Sequence, residues 1–100
     1  MKVVVHEQVE KFLNFLTPKE TAKFLHTVEL LEQFGHELGL PHSRHIGDGL
    51  LELRIPGKRS VRVFYHFSKK SVALLHAYIK KTQKAPDREI SAARSRMKDL

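Results

Sequence analysis

Two runs decide how this chain folds: Leu51-Glu52-Leu53-Arg54-Ile55 and, after a Pro56-Gly57 turn, Val61-Arg62-Val63-Phe64-Tyr65-His66-Phe67. Leu51, Leu53 and Ile55 alternate with Glu52 and Arg54. Val61, Val63, Tyr65 and Phe67 alternate with Arg62, Phe64 and His66. A period of two is strand spacing, and Pro-Gly between two such runs predicts an antiparallel hairpin. Ser68-Lys69-Lys70-Ser71 reads as a second turn and Val72 to Ile79 as a third strand, giving a three-stranded antiparallel meander. Alternation puts Val63 and Tyr65 on a core face. Arg54 and Arg62, with Glu52 and His66, then project to an opposite, open face. His76 shares parity with Leu74 and Tyr78, which leaves its face undecided.

Upstream the period changes. Val3 to Val5 suits a short edge strand, and Val5, Val9, Phe12, Leu13 and Leu16 follow helical spacing. Thr17-Pro18-Lys19-Glu20 carries a cap, a proline at the first helical position and a capping-box carboxylate, so it starts a second helix. Phe24, Leu25, Val28, Leu31, Phe34 and Leu38 form its apolar stripe, and Gly39 and Pro41 form its stop. Downstream, Pro86, Asp87 and Glu89 open a short basic helix with a thin stripe of Ile90, Ala93 and Met97. The expected fold is α+β: an N-terminal helical hairpin packed on a small antiparallel β-sheet, with a short C-terminal helix. All of residues 1–100 form one domain, because this length supports only one core.

With no cysteine, a disulfide scaffold and a thiolate metal site are excluded. No apolar run reaches the ~20 residues of a membrane helix, and the N-terminus turns polar too soon for a signal peptide. The expected location is cytoplasmic, away from membranes. Net charge is +7 and unevenly spread: residues 1–50 hold five Lys/Arg and seven Asp/Glu, residues 51–100 thirteen and four. A basic half suits a polyanionic partner.

The basic residues fall into a pattern with chemistry in it. Arg54 and Arg62 on adjacent strands can serve one phosphate, with Lys80, Lys81 and Lys84 at the end of the last strand and Lys58 and Arg59 in the hairpin turn. Guanidinium groups bind phosphate bidentately and stabilise the extra charge of a phosphorane. For proton transfer the candidates are Glu52 and His66, with Tyr65 and His76 less well placed. Glu52 serves equally as a salt-bridge partner for either arginine. His36, His42 and His45 lack metal-ligand spacing and read as loop residues, so neither a metal nor a cofactor is expected. Strand-borne Arg and Lys also protect exposed sheets from association, which is the bland alternative for each residue singly.

Four segments carry a resemblance. Gly47-Asp48-Gly49-Leu50-Leu51-Glu52-Leu53-Arg54, then Arg62-Val63-Phe64-Tyr65, then Leu74-Leu75-His76, then Lys80-Lys81-Thr82-Gln83-Lys84-Ala85-Pro86 with Glu89-Ile90 and Ala93, resemble the HigB-like, phage-derived branch of the RelE/ParE superfamily of toxin–antitoxin toxins. The resemblance implies a metal-independent endoribonuclease that cuts mRNA on the ribosome and is silenced by a helix-turn-helix antitoxin. It assigns catalytic roles to Arg54, Arg62 and Lys81 and RNA contacts to Lys80. Many RelE-like enzymes carry a C-terminal tyrosine or histidine for proton transfer, and here none follows Tyr78. The alternatives are a ParE-like inhibitor of DNA gyrase and a non-catalytic RNA-binding module.

Overall fold

The computed structural model describes residues 1–100. The meander is present: β3 (Leu50–Ile55), β4 (Ser60–Ser68) and β5 (Ser71–Lys80) pair antiparallel in register. It is the centre of a larger sheet. β2 (Ser43–Gly47) adds antiparallel to β3, and β1 (Lys2–Val5) adds parallel to β5, for the order β1-β5-β4-β3-β2. The expected small antiparallel sheet is therefore a five-stranded mixed one. β2 reads Ser-Arg-His-Ile-Gly, with no apolar alternation to announce it. As an edge strand it needs to match only one neighbour.

The expected N-terminal helical hairpin is also corrected. The edge strand expected at Val3 to Val5 does come first, as β1, but the helix after it, α1 (Glu7–Leu13), is short and lies against β5. The second, α2 (Pro18–Phe34), lies against β3. The two cover the sheet side by side. Thr17 caps α2 as its sequence predicts: its hydroxyl accepts from Glu20 N, and Glu20 Oε1 accepts from Thr17 N. The helix stops at Gly35, whose φ of +54° suits glycine, four residues before the predicted stop. Phe24, Val28 and Leu31 are buried, whereas Leu25 and Phe34 of the predicted stripe are about half exposed.

The face opposite α1 and α2 is not open. A third helix, α3 (Asp87–Lys98), packs on it through Ala93, Ile90 and Met97, meeting Leu50, Phe64, Leu75 and Tyr78. Two cores therefore flank the sheet. Thirteen buried residues lie on the α1/α2 side and seven on the α3 side. The smaller core leaves one end of its face to charged side chains. No helix is long and apolar enough to cross a membrane.

A bulge in β5 fixes which residues those are. Phe64 pairs with His76 but Tyr65 pairs with Leu74, so Leu75 is an extra residue. Leu74 and Ala77 both join the larger core, while Leu75 and Tyr78 join the smaller one. Strict alternation would have kept His76 and Tyr78 with Leu74. The extra residue moves them to the α3 side.

Candidate nucleic-acid interface

Across the uncovered end of the α3 face, β2, β3, β4 and β5 set Arg44, Glu52, Arg54, Arg62, Tyr78 and Lys80 into one cluster. The register makes Arg44 the partner of Glu52, Arg54 the partner of Arg62, and Arg62 the partner of Tyr78. Like charges directly opposite on neighbouring strands destabilise a sheet. The Arg54–Arg62 pair is therefore held at some expense in stability.

Glu52 organises the cluster from beneath. Its side chain is fully buried. Arg44 Nε donates to Oε1 at 3.1 Å, Tyr78 OH donates to Oε2 at 3.3 Å, and Arg62 Nε lies 4.0 Å from Oε1. Arg62 is 12% exposed; its Nη1 donates to Val61 O, and its buried Nε has no hydrogen-bond partner. Four cations face one carboxylate, an arrangement that lacks an anion. Burial, then repulsion from Arg54, pulls the Arg62 guanidinium below its ordinary value despite the attraction of Glu52. Lys80 is lowered likewise, by burial first and by Arg44, Arg62 and Arg54 against the pull of Glu52. Tyr78 is raised by burial and by the Glu52 charge, so it remains a donor.

The arginines open onto a cleft of about 260 Å³, lined by His42, Arg54, Ser60 and Arg62 among others. His42 reaches it because its carbonyl accepts from Arg54 N at 2.7 Å, which anchors the segment before β2 beside β3. His42 is the loop residue that sequence spacing made it, but Arg44 was overlooked. Only the β2–β3 register, invisible in composition, places Arg44 here.

The remaining candidates are dispersed. Lys80 joins the cluster, but Lys81 and Lys84 are exposed in the loop after β5. Lys58 is exposed in the β3–β4 turn. Arg59 is engaged elsewhere, with Nη2 2.6 Å from Glu20 Oε1 and 3.2 Å from Phe15 O. His66 has the predicted face but the wrong end. It stands four residues from Arg62, roughly 13 Å along the strand, and its Nδ1 is 2.7 Å from Gly49 O. A Cβ on Gly49, at φ +84°, would come within 3.2 Å of that ring. Tyr65 lies in the larger core, bonded to Ser43 Oγ. His36 stacks near Phe67, His45 is exposed, and no three His, Cys, Asp or Glu residues converge as a metal site.

His76 serves the fold. Arg96 Nη1 donates to its Nδ1 at 2.6 Å, so its proton sits on Nε2 and is donated to Glu89 Oε1 at 3.1 Å. These contacts fasten α3 to β5. Burial holds the imidazole below its ordinary value against the opposing pull of Glu89.

Residues 11–98 match the model of the family described as phage derived protein Gp49-like (DUF891). This chain belongs to that family. The Gp49-like family is a toxin-like family related to RelE/ParE-type toxins. The matched span takes in the whole cluster, from Arg44 to Lys80, and all of α3. No curated protein matches the chain.

Proposed function

We propose that this Gp49-like chain is a HigB-type toxin of a toxin–antitoxin pair, and that it cleaves mRNA on the ribosome. The observation that carries the reading is the cross-strand pair Arg54–Arg62 held over buried Glu52. Two arginines paired directly across neighbouring strands can bring both guanidinium groups to one phosphodiester. In cleavage by the neighbouring 2′-hydroxyl, that phosphate passes through a phosphorane with added negative charge. Prearranged cations stabilise it beyond the ground state. Lys80 and Arg44 extend the positive field along the strand ends. His42, lining the same cleft, takes the proton from the 2′-hydroxyl or returns one to the departing 5′-oxygen, since an imidazole does both near neutrality. His42 takes the place of His66 and Lys81 in that role. The partners in this reading are the ribosome, its mRNA and a helix-turn-helix antitoxin that silences the protein, all in the cytoplasm.

Induction in cells followed by mapping of mRNA 5′ ends tests the reading. New ends inside coding sequences are expected, and Arg62→Ala should lower cleavage by about 10²–10³-fold, as loss of one transition-state donor does elsewhere. Intact mRNA together with DNA damage would point instead to gyrase poisoning. RNA retention without new ends would point to a binding module. His42→Ala should lower cleavage by about 10²-fold or more while RNA affinity stays near the parent value.

A further inference from the structure

β1 covers only part of its neighbour. It pairs with Ser71 to Leu74 of β5 and ends, while β5 runs on to Lys80. The main-chain contact closes with His6 N donating to Leu74 O at 2.9 Å. Beyond it a side chain takes over. Gln8 Nε2 donates to Ala77 O at 2.9 Å, and Ala77 N donates to Gln8 Oε1 at 2.9 Å. One primary amide reproduces the two bonds of a missing strand residue. Residues two apart on a strand turn their N–H and C=O to the same side. Ile79 therefore presents its own pair at this edge, where no strand remains.

The edge opens into a groove of about 620 Å³, the site of two unlike walls. On the α1 side stand Phe12 and Phe15, and Phe15 is 76% exposed, the highest value for any large apolar residue in the molecule. On the α3 side stand Arg88 and Glu89, the latter bonded to His76, with Lys81 also lining the groove, and neither Arg88 nor Lys81 is engaged by a carboxylate. A strand laid on this edge would send alternate side chains to the two walls.

We propose that the β5 edge from Ala77 to Lys80 accepts an extended segment of a partner protein in which apolar and acidic residues alternate. The apolar side chains lie on Phe12 and Phe15 and the acidic ones meet Arg88 and Lys81. The segment's backbone pairs with Ile79 and displaces the Gln8 amide from Ala77. The proposal does not depend on RNA cleavage. It concerns a different edge from the Arg54–Arg62 cleft, and it fails or stands separately.

The test uses the full chain, isotope-labelled, and a short capped peptide of alternating valine and glutamate. The amide signals of Ala77 and Ile79 should shift on titration. Arg88→Glu, an exposed change, should weaken binding roughly five- to tenfold. The same peptide N-methylated along the edge that faces β5 should not bind. Unmoved Ile79 signals would overturn the proposal, as would equal binding of the methylated peptide, because side-chain contact alone would then suffice. Movement of these signals by single-stranded RNA but not by peptide would also overturn it and assign the groove to the nucleic-acid surface.

Discussion

Leu53 and Glu52 are neighbours in β3, both fully buried, on opposite faces of one sheet. Leu53 belongs to the thirteen-residue core under α1 and α2, where the buried Tyr65 hydroxyl is answered by Ser43 and no charge is held. Glu52 sits where the smaller core gives out, and its two oxygens accept from Arg44 and Tyr78. The same strand thus supplies stability through one face and a fixed array of cations through the other. The difference shows why a hundred-residue chain carries two helices on one side and only one on the other. A third layer that covered the whole face would bury the arginines.

Four perturbations break or sharpen this contrast. Leu53→Ala should have the largest effect on folding, about 2–5 kcal/mol as buried leucines cost elsewhere. Chemical denaturation reads it, and RNA cleavage per folded molecule should not change. A change in cleavage would mean that the two faces are coupled. Glu52→Gln should cost less stability, about 1–3 kcal/mol for imperfectly satisfied buried partners. Cleavage should nevertheless fall while RNA affinity holds or rises, since a negative charge is lost but Arg62 is no longer positioned. Unaltered cleavage would leave Glu52 with a purely structural role.

The helices should also part company in acid. Burial keeps His76 below its ordinary 6.5, so the unfolded chain protonates first. The contribution of His76 to α3 docking is then present above pH 6.5 and declines below it. Amide exchange in α3 should accelerate through that window while exchange in α2 does not. An equal response in both helices would sink the distinction. The smallest effect is expected at the start of α2. The hydrogen bond from Arg59, then that from Thr17 N, lowers the Glu20 carboxyl from 4.5 to about 2. Its contribution is present above pH 4.5 and lost as pH falls toward 2. Arg59→Gln should flatten the stability curve across that interval alone, and a slope unchanged by the substitution would remove Arg59 as its cause.

Much of this was legible in the sequence, for identifiable reasons. Period-two alternation between Leu51 and Phe67 revealed the central strands, and the Thr17–Glu20 capping box revealed the start of α2. The Arg54–Arg62 pairing followed from the same alternation. The Val3–Val5 run revealed β1, but β2 was obscure because an edge strand needs little apolar pattern. Phe64, in the polar register, was the one signal that the second face is covered, and Leu50 and Leu75 complete that cover. The bulge at Leu75 was not legible, since no residue type demands it, yet it decides where His76 and Tyr78 point. Arg44 and His42 entered the site through pairing across strands, which no local spacing encodes.

The parallel pairing of β1 with β5 has a consequence for biosynthesis. Lys2 to Val5 leave the ribosome well before their partners, Ser71 to Leu74. Contacts so distant along the chain form late, because a long loop must close before they return any energy. Tyr78 and Lys80 of the cationic cluster are made later still. A nascent chain therefore holds an unpaired valine strand and a half-built cluster until β5 has been synthesised. The order in which the strands are made delays assembly of the cationic cluster until β5 has emerged.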